Sequence, residues 1–211
     1  MPKLILTFSL ALLLAACASL HKTPVVTDLN NYKRPDYFAS HVQGAFKVEG
    51  TFEDFSMEGV MIVKKLGAQD LEVTLLSSGM FQVLKAVVTP EGIAWQYVFK
   101  DVDNALVRGR ITQMLDLLLM PKTCRKIGVK NGEAVVTCDG VRHKERFYYQ
   151  NNEPYPVRAQ TIAPLNTAEL FYNDYVPADA DGGLLPHHLT YKDGKITLYL
   201  TMVSLRQPPR S

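Results

Sequence analysis

The 211-residue chain is 47% hydrophobic and balances 23 Lys and Arg against 21 Asp and Glu, for a net charge of +2. Such an even balance leaves no electrostatic footprint for nucleic acid, and the densest basic stretches, Lys64-Lys65 and 122–130, are not interleaved with stacking aromatics. The apolar content is concentrated at the N-terminus, and the 195 residues beyond the first 16 have an ordinary soluble composition, enough for one domain with a substantial core and too few for two.

The N-terminus reads as an export signal. Lys3 is followed by an 11-residue apolar run, 4–14, too short to cross a bilayer as a permanent helix but fitted to the core of a secretory signal. Leu14-Ala15-Ala16-Cys17 comes next and resembles the lipobox at which bacterial lipoprotein precursors are acylated on cysteine and then cut. On that resemblance residues 1–16 are a removable signal and Cys17 is the lipidated first mature residue. The competing readings are a plain cleaved signal with an incidental cysteine, or a short membrane anchor. Residues 17–43 carry Pro24, Asp28, Asn30, Asn31 and Pro35 with little apolar periodicity, which predicts a tether with a short helix near 37–42. The domain itself is expected over 44–208.

From Gly44 the chain turns to short apolar-alternating runs separated by turn residues. Strands are predicted at 45–52, 59–66, 71–76, 81–89 and 92–100, with connections short enough for sequential antiparallel pairing. Over 104–120 the period changes: Val107, Ile111, Met114, Leu115, Leu118 and Leu119 recur at three and four, while Arg108, Arg110, Gln113 and Asp116 take the other face. This predicts an amphipathic helix stopped by Pro121. Strands resume at 126–129, 133–138, 142–150, 157–163, 169–175, 185–191 and 195–205. The fold class is therefore mainly β, a large antiparallel sheet curled into an unclosed half-barrel with the helix packed on it.

Two cysteines follow Cys17, and an even remainder in an exported chain favours a Cys124–Cys138 disulfide over a free thiol or a metal pair. The Asn131-Gly132 turn between them would place both near the open end of one hairpin.

Strand alternation puts Ile93, Trp95, Tyr97 and Phe99 on one face and Ile196, Leu198, Leu200 and Met202 on one face of the last strand, both expected to be concave. Around Val60 to Val63 and Phe81 to Val88 both faces are apolar, which fits either a sheet covered on both sides or a concave face left open for acyl chains under a helical lid.

Catalytic signatures are missing. No Gly-x-Ser-x-Gly elbow, phosphate loop or dinucleotide fingerprint occurs, and Asp179-Ala180-Asp181-Gly182-Gly183 lacks the later carboxylate of a calcium loop. His187 and His188 are adjacent, so on a regular strand they face opposite sides and do not share a metal. No enzyme activity, metal or cofactor is expected.

The lipobox, the tether, the mid-chain helix ended by proline and the C-terminal Leu185-Pro186-x-x-Leu189-x-Tyr191-x-Asp193-Gly194-x-Ile196-x-Leu198 hairpin together resemble the LolA/LolB lipoprotein-carrier fold, and LolB-like outer-membrane receptors most. The resemblance implies an unclosed barrel, apolar inside, that takes acyl chains of a lipid or of another lipoprotein beneath a helical lid. It implies a lining of Met61, Val73, Leu75, Trp95, Tyr97, Phe99, Leu198 and Leu200, covered by Met114 and Leu118. It also implies an apolar membrane-facing turn, matched here by Leu76-Ser77-Ser78-Gly79-Met80-Phe81, with Met80 and Phe81 as the outward residues. Ala18 after the cysteine, where inner-membrane retention uses aspartate, points to the periplasmic face of the outer membrane. The alternative is a structural or assembly lipoprotein with a filled core that binds an envelope protein partner.

Overall fold

The computed structural model describes residues 28–52, 55–119, 123–140, 143–150, 153–162, 167–178 and 183–208. The expected signal, Cys17, Ala18 and Pro121 lie outside them.

Alternating apolar residues form five strands first: β1 (Gln43–Phe52), β2 (Phe55–Lys65), β3 (Leu71–Ser77), β4 (Gln82–Thr89) and β5 (Gly92–Val98). The helix α1 (Ala105–Leu119) follows. Seven more strands complete the chain: β6 (Thr123–Lys130), β7 (Glu133–Asp139), β8 (Lys144–Tyr149), β9 (Arg158–Ile162), β10 (Glu169–Pro177), β11 (Leu184–Asp193) and β12 (Ile196–Arg206). All belong to one antiparallel sheet in the order β5-β4-β3-β2-β1-β12-β11-β10-β9-β8-β7-β6, with β5 and β6 as its free edges. The sheet does not close into a barrel, and α1 joins its two edges.

Turn chemistry sets the hairpins. Asn131 and Gly132 both have positive φ, 54° and 84°, as a two-residue turn matched to strand twist requires, and Lys130 pairs with Glu133 across it. Cys124 and Cys138 stand opposite one another in that ladder and are disulfide-bonded, tying edge strand β6 to β7. Where β1 meets β12, Gly50 pairs with Leu198 at φ +143°, and a Cβ there would strike the carbonyl oxygen of Thr197.

The β1–β2 turn, the β3–β4 turn and the β11–β12 turn lie at one end of the strands, here called the tip end. The opposite end is crossed by residues 28–42, which are no tether but a strap packed into the domain. Tyr32 meets the Tyr149 ring edge-on at 4.8 Å, and the Lys33 N–H donates to the Pro154 carbonyl. Tyr37 is buried edge-on to Phe46 and donates its hydroxyl to the Pro186 carbonyl at 2.8 Å. The short helix expected near 37–42 is absent: Asp36 Oδ1 accepts the Phe38 N–H in a turn, and the aromatic residues go into the core instead of lining a helix face. The described helical turn in the strap is a single 3-10 turn at Leu29–Asn31.

Asn104 caps α1, its Oδ1 accepting the Val107 N–H at 2.9 Å. The helix buries Val107, Met114, Leu115, Leu117 and Leu118. Asp116, expected on the polar face, is buried as well, because the β7–β8 turn at Gly140 packs onto that side, bringing Glu145 with it.

Two stability measurements follow from this packing. Closing a loop of about 15 residues is worth ~3 kcal/mol, so reductant or Cys138→Ala should lower the denaturant midpoint accordingly; identical midpoints with and without reductant would contradict this. Tyr37→Ala should cost about 3–5 kcal/mol, as truncating a buried aromatic does, whereas Tyr37→Phe should cost about 1 kcal/mol for its hydrogen bond. A silent Tyr37→Ala would show the strap to be loosely attached.

Candidate functional site

The concave face is half filled and half open. Toward β8–β11 it is occupied by the strap and the C-terminal half of α1; toward β1–β4 a cavity of about 480 Å3 is left beneath the N-terminal half of α1. Its walls are apolar side chains that strand alternation aims inward: Val48, Met61, Val73, Leu75, Leu84 and Leu198 from the sheet, facing Val107, Ile111, Met114 and Leu115 of the helix. The cavity reaches the tip end at Phe52, Phe55, Ser77 and Ser78.

Of the residues expected to line an acyl site, the structure brings together Met61, Val73, Leu75, Met114 and Leu198. Leu200 is instead packed in the core, Trp95 lies half-buried beneath the Arg108 guanidinium at 5.6 Å, and Leu118 lines a separate, smaller cavity. Tyr97 and Phe99 are not in the lining at all. Trp95 pairs with Ala86 but Tyr97 with Lys85, so Gln96 is an extra residue, a β-bulge that reverses the alternation after it. The two aromatics turn to the outer face, 42% and 41% exposed, and Val98 takes the inner position opposite Leu84. A second bulge leaves Val83 unpaired between Gln82 and Leu84, and both Val83 and Leu84 contribute to the cavity. A period of two carries no sign of either bulge.

The helix is fastened over the cavity by polar contacts at the tip end. Arg110 Nη1 donates to the Asp193 carbonyl at 3.0 Å and lies 3.7 Å from its buried carboxylate. Tyr191 donates to the Arg110 carbonyl at 3.4 Å, and Gln113 Nε2 donates to Thr161 Oγ1 at 2.7 Å. Burial first, and then the Asp193 charge, push the Tyr191 hydroxyl above its ordinary pKa, so it stays a protonated donor. Arg110 and Tyr191 also border the cavity, and neither was foreseen there; their spacing from apolar neighbours holds no signal for it.

Met80 and Phe81 are both exposed at the β3–β4 turn, Met80 with a left-handed backbone (φ 62°), and Phe55 is exposed at the same end. His187 and His188 do not face apart as expected. Ladder pairing is interrupted beside Asp174 (φ 52°), and the rings meet with Nδ1 of His187 3.0 Å from Nε2 of His188. His188 also contacts Thr201 Oγ1 at 3.1 Å, and among the described residues no three His, Cys, Asp or Glu side chains are arranged to hold a metal ion.

No protein-family model matches the sequence, and no curated protein is detectably similar to it. Among solved structures, the LolA superfamily protein NE2245 from Nitrosomonas europaea superposes with a TM-score of 0.55 at 10% identity, over 83% of this chain and 90% of that one. A domain named for outer membrane lipoprotein sorting, from Vibrio parahaemolyticus, aligns at TM-score 0.45 and 8% identity, over 83% of this chain and 88% of that one. A DUF1329 family protein from Desulfovibrio piger gives the same TM-score and identity, over 83% and 89%. With its open antiparallel sheet and, among the described residues, one α-helix crossing the concave face, this chain has a LolA-like fold.

Proposed function

We propose that this protein is a non-enzymatic lipoprotein that takes an acyl chain of a lipid or of another lipoprotein into the cavity under α1, and assists its transport or localisation. In this reading Cys17 is acylated and holds the domain at the periplasmic face of the outer membrane, where several chains anchor stably and one does so marginally. Met80 and Phe81 are the apolar contacts toward the lipid source. The observation that carries the reading is the cavity: an apolar compartment of about 480 Å3 between a sheet and a polar-fastened helix.

Physical chemistry suits that role without a catalytic group. A volume of about 480 Å3 lies in the ordinary range of small-molecule sites and is large enough for the methylenes of an acyl chain. Removing those methylenes from water is worth about 0.8 kcal/mol each. Relative to a bilayer, itself apolar, the gain is close to zero, so a chain could be passed on as readily as it is taken up.

Native mass spectrometry of the full chain purified from cells is expected to show co-purified acyl lipid. Leu75→Trp, and independently Met114→Trp, should fill the compartment and lower occupancy at least tenfold with an unchanged circular dichroism spectrum. Cys17→Ala should move the protein from the membrane fraction to the soluble one. No bound lipid, together with no saturable binding of a fluorescent fatty acid, would sink the acyl reading in favour of an assembly lipoprotein that binds an envelope partner.

A further inference from the structure

A second cavity, about 230 Å3, lies at the strap end of the sheet, between Arg34 to Ala39, the last turn of α1 and the β2–β3 turn. Its wall is more polar than that of the larger cavity. Arg34, Asp36, Lys65 and Gln69 border it together with the rings of Phe147 and Tyr172.

Several of these groups are left without the partners the fold supplies to their neighbours. Tyr172 is only 6% exposed, and its hydroxyl makes no hydrogen bond among the described residues. The nearby hydroxyls of Tyr37, Tyr149 and Tyr175 each donate to a backbone carbonyl, of Pro186, Lys33 and Pro156. Tyr172 borders the cavity, and its hydroxyl is not among the buried polar atoms cut off from solvent, so a ligand in the cavity can reach it. Arg34 makes no ion pair among the described residues; its guanidinium lies over the Phe147 ring at 5.8 Å. Lys65 donates to the Phe38 carbonyl at 2.8 Å and also makes no ion pair there, which leaves its other protons available. Against these two cations stand the carboxylate of Asp36, engaged with the Phe38 N–H, and that of the buried Glu145, which acts on Tyr172.

We propose that this cavity is an anion site for a phosphate group, held by Arg34 and Lys65 and by a hydrogen bond donated from the Tyr172 hydroxyl. Arg34 offers the planar fork that matches phosphate oxygens, and Lys65 a point charge beside it. Burial holds the Tyr172 phenol well above its ordinary pKa, so it donates and does not repel an anion. The phosphate comes either free in solution or as the headgroup of a lipid. Neither source requires that the apolar compartment hold an acyl chain.

The test is calorimetric titration of the full chain with inorganic phosphate and, separately, with a monoacyl phosphatidylglycerol below its micelle concentration. Saturable binding of either probe is expected, weakened at least tenfold by Arg34→Gln and by Tyr172→Phe. Phosphate binding with those losses supports a free-anion site; binding of the lipid alone with the same losses supports a headgroup site. Tyr172→Phe should leave the melting temperature unchanged or raise it, since the hydroxyl has no partner to lose. Failure of both probes to bind, or binding undiminished in both variants, overturns the proposal. So does a Tyr172→Phe protein that melts several degrees lower. Undiminished lipid binding in both variants would overturn it while leaving the acyl reading intact.

Discussion

The pairing of the first strand with the last is the constraint on which the rest of the structure depends. β1 and β12 come from opposite ends of the domain, and their ladder fuses two meanders, β1–β5 and β6–β12, into one sheet. Once they are joined, the free edges belong to β5 and β6, which are consecutive in sequence yet farthest apart in the sheet. The connection carrying α1 must then cross from edge to edge, and the concave face is the side on which its apolar stripe finds burial. A Gly at position 50 lets the two backbones approach where a Cβ would collide. Joining strands from the two ends of the domain, this contact carries the largest loop-closure cost in the sheet.

That arrangement separates two environments under one helix. Toward the tip end the helix faces aliphatic side chains across an unfilled space; toward the strap end it meets a small polar chamber. Apolar burial favours a guest in the first and offers no direction, whereas charge and hydrogen bonding in the second discriminate by chemistry. The polar fastening of α1 runs from Arg110, at the border of the large cavity, to the tip-end turn and from Gln113 to β9, so the helix is attached while most of the cavity wall stays apolar.

Much of this was legible in the residues. The switch from a period of two to a period of three and four, and back, located the strands and the one helix, and Asn131-Gly132 fixed the hairpin that sets Cys124 opposite Cys138. Of the five residues expected inside the cavity and found there, Met61, Val73, Leu75 and Leu198 follow from strand alternation in β2, β3 and β12, and Met114 from the helical period of α1. What could not be read was departure from periodicity. One inserted residue, Gln96, turned Tyr97 and Phe99 outward, and a break beside Asp174 brought together two histidines that a regular strand would part. The strap was mistaken for a tether for a related reason: Tyr32, Tyr37 and Phe38 dock singly against distant elements, and a segment held by isolated anchors has no repeating pattern to betray it. Asp116 looked solvent-facing because the turn that covers it belongs to another part of the chain.

Docking of the strap has a geometric consequence for a lipid-held protein. With the chain already engaged at its 3-10 turn, only residues 18–27 separate Cys17 from the domain, and ten residues reach no farther than about 35 Å when fully extended. A ten-residue strand such as β1 spans about 33 Å. The leash enters at the strap end, so its whole contour is roughly the height of the sheet it would have to pass to bring the tip end against the same bilayer. If Cys17 carries the anchor, ten residues of chain set how far the tips can stand from the bilayer that holds it.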